Sequence, residues 1–318
     1  MAVLVFAESV DGKLKKTSFE AICMAAKLSS DVVVVALGNI IKEEALAGLG
    51  KYGASRVLWV NDERFNQVSA NLAADVVSVI MEKAGAKILV LATSPFTASV
   101  AAVVAVKQSA ALATNVVEIP DLSNGFTVKR SIFSGKAFET VQLSGEKKIL
   151  VFNKNAVEVT VSDQTVAVEK ISPTAELKEK GLKITGSEKA SGTVSLPEAE
   201  IVVSAGRGLK GAENWGMIEE LASLLGAATG CSKPVSDVGW RPHHEHVGQT
   251  GIKVSPQLYI AVGISGAIQH LAGVNSSKYI LVINKDPDAP FFKAADYGVV
   301  GDAFEVVPRL IEALKAAS

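Results

Sequence analysis

Along its first hundred residues the chain alternates two hydrophobic patterns. "AVLVFAE", "DVVVVALG", "SRVLWVN" and "KILVLAT" (2–8, 31–38, 55–61 and 87–93) are short, unbroken apolar runs. Such runs suit parallel strands covered on both faces, because hydrophobic–polar alternation survives only where one face meets water. Between them, "SFEAICMAAKLS", "IKEEALAGLGKYG" and "NQVSANLAADVVSVIMEKAG" carry apolar residues at helical spacing. The last is expected to run from about Asn66 to Gly85, two residues suited to helix ends. This alternation predicts an α/β domain on a mostly parallel sheet. The longest apolar stretch, "FTASVAAVVAVKQSAALA", is rich in Ala and interrupted by Lys107 and Gln108. It is expected to be a buried helix of a globular domain, not a membrane span.

After about residue 112 the pattern changes. "GFTVKRSIFSGKAFETVQLSG" and "KKILVFNKNAVEVTV" are expected to be antiparallel strands joined by Gly-containing turns. Residues 169–200 are polar, charged and poorly periodic, as an arm and interdomain linker would be, with a boundary near residue 195. A second α/β pattern follows. Its strands are expected at 200–206, 227–232, 258–263, 279–284 and 297–302, with helices at about 213–226 and 266–273. "AFEVVPRLIEALKAA" closes the chain as a third helix. The predicted fold class is α/β in two domains. Residues 1–195 form a parallel-sheet domain with an antiparallel addition, and residues 196–318 a doubly wound domain.

Length and composition agree with this division. The 318 residues are 48% hydrophobic and 20% charged, enough to fill two cores. A net charge of −1 gives no electrostatic argument for nucleic acid or an anionic membrane. Cys23 and Cys231 are the chain's two cysteines. They allow no disulfide framework and no Cys-x-x-Cys zinc pair, and reduced thiols suit a cytoplasmic protein. "MAVLVFAESVDG" lacks a basic leader and is expected to be a first strand, not a signal peptide.

The candidate chemistry lies at the strand ends of the second domain. Its five strands run into Gly206–Gly211, Ser232-Lys233, Gly263–Gly266, Asn284-Lys285-Asp286 and Gly301-Asp302. Open α/β sheets bind ligands beyond the carboxyl ends of their strands, where strand order reverses. Polar or glycine-rich ends on all five strands therefore describe a nucleotide site. "GRGLKG" (206–211) fits GxGxxG, which serves equally as a tight strand–helix turn or as a close approach to phosphate. An NAD site also needs an acidic residue near the end of the second strand. Cys231-Ser232-Lys233 stands there, so ordinary NAD binding is disfavoured. "AVGISGAIQHLAG" (261–273) offers a second glycine turn into a helix, with His270 one turn in. His270 is either a ligand contact or a hydrogen-bonded, partly buried structural residue.

"GWRPHHEHVGQTG" (239–251) invites a metal reading through His243, His244, Glu245 and His246. Zinc ligands on one element need a spacing such as HExxH, and adjacent histidines on a proline-led segment diverge. No metal site and no catalytic residue are assigned. Trp215 and Trp240 are assigned to helix packing.

"LYIAVGISGAIQHLAGVNSSKYILVINKDPDAPFFKAADYGVVGD" resembles the signature region of the electron transfer flavoprotein alpha subunit. "SAGRGLKGAENW" and "HVGQTG" are similar to the same family's FAD-domain motifs, and "RSIFSGKAFETV" (130–141) to its N-terminal half. The resemblance implies that the doubly wound domain binds FAD. Arg207 and Ser232 would contact it. Val247, Gly248, Gln249 and Thr250 would lie along the isoalloxazine, with the Thr250 hydroxyl near N5. Ser265, Gly266, Ala267, Ile268, Gln269 and His270 would wrap the phosphate and ring edge, with His270 beside N1 and the C2 carbonyl. Asn284 and Asp302 would hold the adenosine end.

The resemblance further implies a beta-subunit partner carrying AMP, or a second FAD in the electron-bifurcating branch. It implies an electron carrier with no substrate chemistry of its own. Donors would be flavoprotein dehydrogenases, as in fatty acid β-oxidation, and the acceptor a quinone-linked oxidoreductase. A one-electron-reduced flavin carries negative charge near N1 and the C2 carbonyl, so a protonated His270 there would stabilise it. One position departs from the family: Lys233 stands where an arginine is common, keeping the charge but losing the planar, stacking fork. A nucleotide-dependent dehydrogenase and a metal-dependent hydrolase are the readings from other classes, disfavoured by the missing ribose acid and by the histidine spacing.

Overall fold

The apolar run at the start of the chain becomes strand β1 (Val3–Ala7), with all five residues buried. Val3, Val5 and Ala7 join one hydrophobic core, and Leu4 and Phe6 join another on the opposite face. Burial on both sides is why the run shows no alternation. The structure, a computed structural model, describes residues 2–172 and 195–317. The chain divides into two units, Met1–Glu188 and Lys189–Ser318. Most of the segment expected to be arm and linker, 173–194, lies outside the described residues.

In the first unit β1 leads through a hairpin, β2 (Ser9–Val10) and β3 (Lys13–Leu14), into helix α1 (Lys16–Leu28). The alternation continues with β4 (Val32–Leu37), α2 (Glu43–Ala47), β5 (Arg56–Val60), α3 (Ala70–Lys83), β6 (Ile88–Ala92) and α4 (Pro95–Gln108). Then come β7 (Ala111–Val116), β8 (Thr127–Ile132), β9 (Ala137–Gln142), β10 (Lys148–Phe152) and β11 (Val168–Ile171). Among the described residues they form a nine-stranded sheet, ordered β11-β5-β4-β1-β6-β10-β7-β8-β9. Neighbours are parallel from β11 to β7, and β8 and β9 add an antiparallel hairpin. Helix α1 covers one face, α3 and α4 the other. Each fully buried Val, Leu or Ile contributes about 1.5–3 kcal/mol, so these two cores dominate the unit's stability.

Four expectations change here. Strand β10 is parallel and lies between β6 and β7, outside the antiparallel addition. Its Ile149–Phe152 are all buried, as a central strand requires. The Ala-rich stretch is not one helix: α4 stops at Gln108, Ser109 takes a left-handed φ of 49°, and the chain turns into β7. Helix α3 begins after Ser69, whose hydroxyl accepts from the Leu72 amide, while Asn66 is engaged with Asn39. The head of the polar segment is strand, β11 pairing with β5.

In the second unit the expected strands and helices recur in order, joined by a short helix, Lys233–Asp237, that the hydrophobic pattern does not predict. They are β12 (Ile201–Ala205), α5 (Gly216–Leu225), β13 (Ala228–Cys231), α6 (Lys233–Asp237), β14 (Leu258–Val262), α7 (Ile268–Leu271), β15 (Tyr279–Asn284), β16 (Tyr297–Val300) and α8 (Ala303–Ala317). The described strands form one parallel sheet, ordered β13-β12-β14-β15-β16. Helices α5 and α8 cover one face, with Trp215 buried beneath them and Trp240 against the same core. On the other face Val202, Tyr259, Ala261 and Val282 pack against Val247, Val274 and Phe291. Strand order reverses between β12 and β14, which places a ligand crevice beyond their carboxyl ends. No helix among the described residues is long and apolar enough to cross a membrane.

Candidate functional site

At the switch point the turns after β12 and β14 interlock backbone to backbone. The Gly206 amide donates to the Val262 carbonyl (2.9 Å) and the Gly208 amide to the Gly263 carbonyl (3.1 Å). A Cβ on Gly206 would collide with the Gly263 carbonyl oxygen, and one on Gly208 would lie 2.6 Å from Gly263 Cα. Gly206 and Gly208 of "GRGLKG" are thus required by the neighbouring turn. Arg207 and Lys210 are left exposed on its outer side. Lys210 Nζ stands 4.0 Å from Asp302 Oδ2 and 4.7 Å from the centre of the Phe304 ring, joining the first strand end to the last.

Two further segments meet beside this turn. Strand β13 continues as a bridge between Cys231 and His246, and the Val247 amide donates to the Cys231 carbonyl (3.0 Å). From there the 247–250 loop reaches α7, where the Gln249 amide donates to the Gln269 carbonyl (2.7 Å). A Cβ on Gly273 would sit 2.6 Å from Gly248 Cα, so this contact too depends on bare backbone. Ser265, Ala267, Ile268 and Gln269 are exposed, and Gly266 (φ 84°) is pressed against Phe291. The Asn284 amide group donates to the Ile264 carbonyl (3.0 Å), fixing the start of that segment. Ser232 is buried at the start of α6, with Lys233 exposed beside it. Gln249 and Thr250 also present exposed side chains.

His270 is 6% exposed, and its Nε2 lies 2.8 Å from the hydroxyl of Tyr259, itself 0% exposed. Phe291 packs edge-on to the imidazole at 5.7 Å. Burial, then the charge of His246, pushes the His270 pKa down to about 4, with the Val247 backbone acting weakly the other way. The ring is therefore neutral at pH 7 unless a negative charge comes close, a condition that qualifies the expectation of a protonated His270. Its Nδ1 is buried without a hydrogen-bond partner among the described residues.

Of the histidine-rich stretch, Glu245 and His246 are buried while His243 and His244 are exposed. Glu245 is buried and held by Arg241 (2.6 and 2.8 Å), which also reaches Glu219 and covers the Trp215 ring at 5.4 Å. His246 is buried, with its pKa lowered first by burial and then by His243. His243 faces Ser236 Oγ at 3.4 Å. No group of three or more His, Cys, Asp or Glu that could hold a metal occurs among the described residues. Sequence reasoning missed two residues that matter here. Tyr259 hides inside an apolar strand, its hydroxyl the sole hint, and Arg241 carries no motif.

Comparison with known proteins accounts for both units. Residues 3–176 match the electron transfer flavoprotein domain, and residues 195–275 the electron transfer flavoprotein FAD-binding domain. The chain is 39% identical over 317 residues to the electron transfer flavoprotein subunit alpha of Syntrophomonas wolfei, covering 98% of each chain. It is 35% identical to that of Bacillus subtilis (98% of this chain, 97% of the relative). Against that of Pseudomonas aeruginosa the identity is 37%, over 99% of this chain and all of the relative. Full-length similarity at this level, together with a nucleotide crevice in the matched FAD-binding unit, has one consequence: the chain belongs to the electron transfer flavoprotein alpha-subunit family.

Proposed function

We propose that this chain is the FAD-carrying half of a heterodimer with a beta subunit. In this reading it relays electrons from flavoprotein dehydrogenases, including those of fatty acid β-oxidation, to a quinone-linked oxidoreductase. It has no substrate chemistry of its own. Residues 196–318 hold FAD and residues 1–195 contact the beta subunit, which carries AMP. The buried, unpaired Cys23 and Cys231 agree with a reducing, cytoplasmic setting.

The observation that carries the reading is the interlock of the β12 and β14 turns at the switch point, with the loop from the β13 end reaching the helix that carries buried His270. The cofactor fits what is there: glycine turns that bring backbone close, cationic Arg207 and Lys233, and a buried ring nitrogen lacking a partner among the described residues. When bound, FAD supplies one- and two-electron redox chemistry. Arg207, Ser232 and Lys233 would hold it from the β12 and β13 ends. Val247 to Thr250 and Ser265 to His270 would line its ring and phosphates, and Asn284 and Asp302 its adenosine end. The part played by His270 is to offer an N–H from a dry pocket, where such a donor acts strongly on developing negative charge.

Visible absorbance and nucleotide analysis of the chain co-purified with its beta subunit test this. One FAD and one AMP per heterodimer are expected, with reduction in two resolvable one-electron steps. Two FAD molecules would place it in the electron-bifurcating branch. Absence of flavin would overturn the reading.

A further inference from the structure

We propose that Tyr259 is a positioning residue, whose hydroxyl holds the His270 imidazole in one orientation and one tautomer, with the ring proton on Nδ1. The inference rests on the reading that His270 faces the FAD, and it adds the group that makes His270 a donor of fixed direction.

Tyr259 is the second residue of β14, on the sheet face that packs against Val247, Val274 and Phe291. A hydroxyl in so apolar a core needs a partner, and its partner is His270 Nε2 at 2.8 Å. Burial pushes the phenol pKa up, so the proton stays on Oη. Burial first and His246 second hold His270 neutral at pH 7. A neutral imidazole has one donor and one acceptor nitrogen, and the hydrogen bond made by one decides the other.

Two arrangements satisfy the 2.8 Å contact. Either Tyr259 donates to Nε2 and the ring proton sits on Nδ1, or Nε2–H donates to Oη and Nδ1 is bare. The first is favoured, because there the buried phenol proton has an acceptor in His270 Nε2, whereas in the second it has none among the described residues. Neither Ser204 Oγ nor His270 Nδ1 completes a hydrogen bond of good geometry among the described residues. The central contact therefore sets the ring's position, and Nδ1–H keeps its capacity for an acceptor beyond the protein. Edge-on packing against Phe291 at 5.7 Å leaves the ring plane little freedom once Tyr259 holds its far end.

The test is a double-mutant cycle on the flavin-loaded heterodimer, read as the first one-electron potential. His270→Asn is expected to shift that equilibrium towards oxidised flavin by about tenfold, equivalent to about 59 mV for one electron. Tyr259→Phe keeps the volume and the FAD, and is expected to shift it about threefold. In the His270→Asn background, Tyr259→Phe should add nothing. An equal effect in both backgrounds would show that Tyr259 acts independently of His270 and overturn the inference. A Tyr259→Phe potential equal to wild type would also overturn it while leaving the reading of His270 intact. An unchanged potential in His270→Asn would remove His270 from the site, and Tyr259 with it. Nitrogen-15 NMR of histidine-labelled wild-type protein, which needs no variant, should show His270 protonated at Nδ1. Protonation at Nε2 would overturn the proposal.

Discussion

Both units are parallel α/β sheets with a reversal of strand order, at β1/β6 in the first and β12/β14 in the second, yet their carboxyl edges differ. In the first unit the edge is closed by its own polar groups. Lys15 pairs with Glu8 (3.0 Å) beyond β1. Ser94 and Thr97 satisfy each other's backbone in a capping box at α4, and the Thr97 hydroxyl donates to the Ala92 carbonyl. The Trp59 indole donates to the Gly38 carbonyl, and Asn39 and Asn66 bond mutually. In the second unit the corresponding edge presents exposed Arg207, Lys233, Gln249, Thr250 and Ser265, and the buried His270 Nδ1 has no hydrogen-bond partner among the described residues. The two units share an architecture but differ in how the polar groups along that edge are engaged.

The sharpest way to break this contrast is Gly206→Val. The added side chain strikes the Gly263 backbone, which cannot move aside as a flexible side chain would. Overpacking costs about 1–3 kcal/mol or more, so a loss of bound flavin of roughly tenfold or greater is expected, measured by absorbance of the purified heterodimer. Retention of full flavin would mean the interlock is dispensable.

Acid separates the units next. The His270 pKa falls from 6.5 to about 4 on folding, so as pH drops the unfolded chain takes the proton first. The stability tied to the neutral ring is complete above pH 6.5 and is lost as pH falls towards 4, by up to about 3 kcal/mol. Glu20 in the first unit runs the opposite way. Burial raises its pKa above 4.5 against the Asn155 amide and Lys154, so its contribution is lost as pH rises through that raised value. Hydrogen-exchange mass spectrometry of flavin-free heterodimer, which reads each unit separately, should show the second unit loosening between pH 6.5 and 4. His270→Asn should blunt the change.

Ser94→Ala removes the α4 cap and should cost about 1 kcal/mol of first-unit stability by urea unfolding, with flavin content and potential unchanged. A changed flavin potential would mean the closed edge is not independent of the open one. Smallest is Lys233→Ala. Lys233 is exposed, so solvent screens its charge. A drop of about 30 mV in the first flavin potential, near threefold, is expected from redox titration. Superimposable titration curves would take Lys233 out of the site.

The parallel sheets were legible in the chain because burial on both faces writes itself as unbroken Val, Ile and Leu runs. Strand β10 shows the limit of that signal. "KILVF" announces a buried strand, but nothing local specifies β6 and β7 as neighbours or their direction. Strand β7 was lost because "ALATNV" continues the composition of α4, and the break between them is a single left-handed Ser109. At the candidate site the exposed strand-end residues were visible as polar punctuation after apolar runs. Tyr259 was not, since its role depends on which strand face it occupies and on a histidine eleven residues away. Arg241 likewise acquires meaning only when folding brings Glu219, Glu245 and Trp215 around it.

The interlocked turns also constrain how this sequence can vary. Gly206, Gly208 and Gly263 occupy one shared volume, so none has room to acquire a side chain while the others stay in place. Substitutions there should show strong epistasis. A change tolerated in one turn would need a matching retreat of the other, and the three positions behave as a single unit of mutational tolerance although fifty-odd residues of chain separate them.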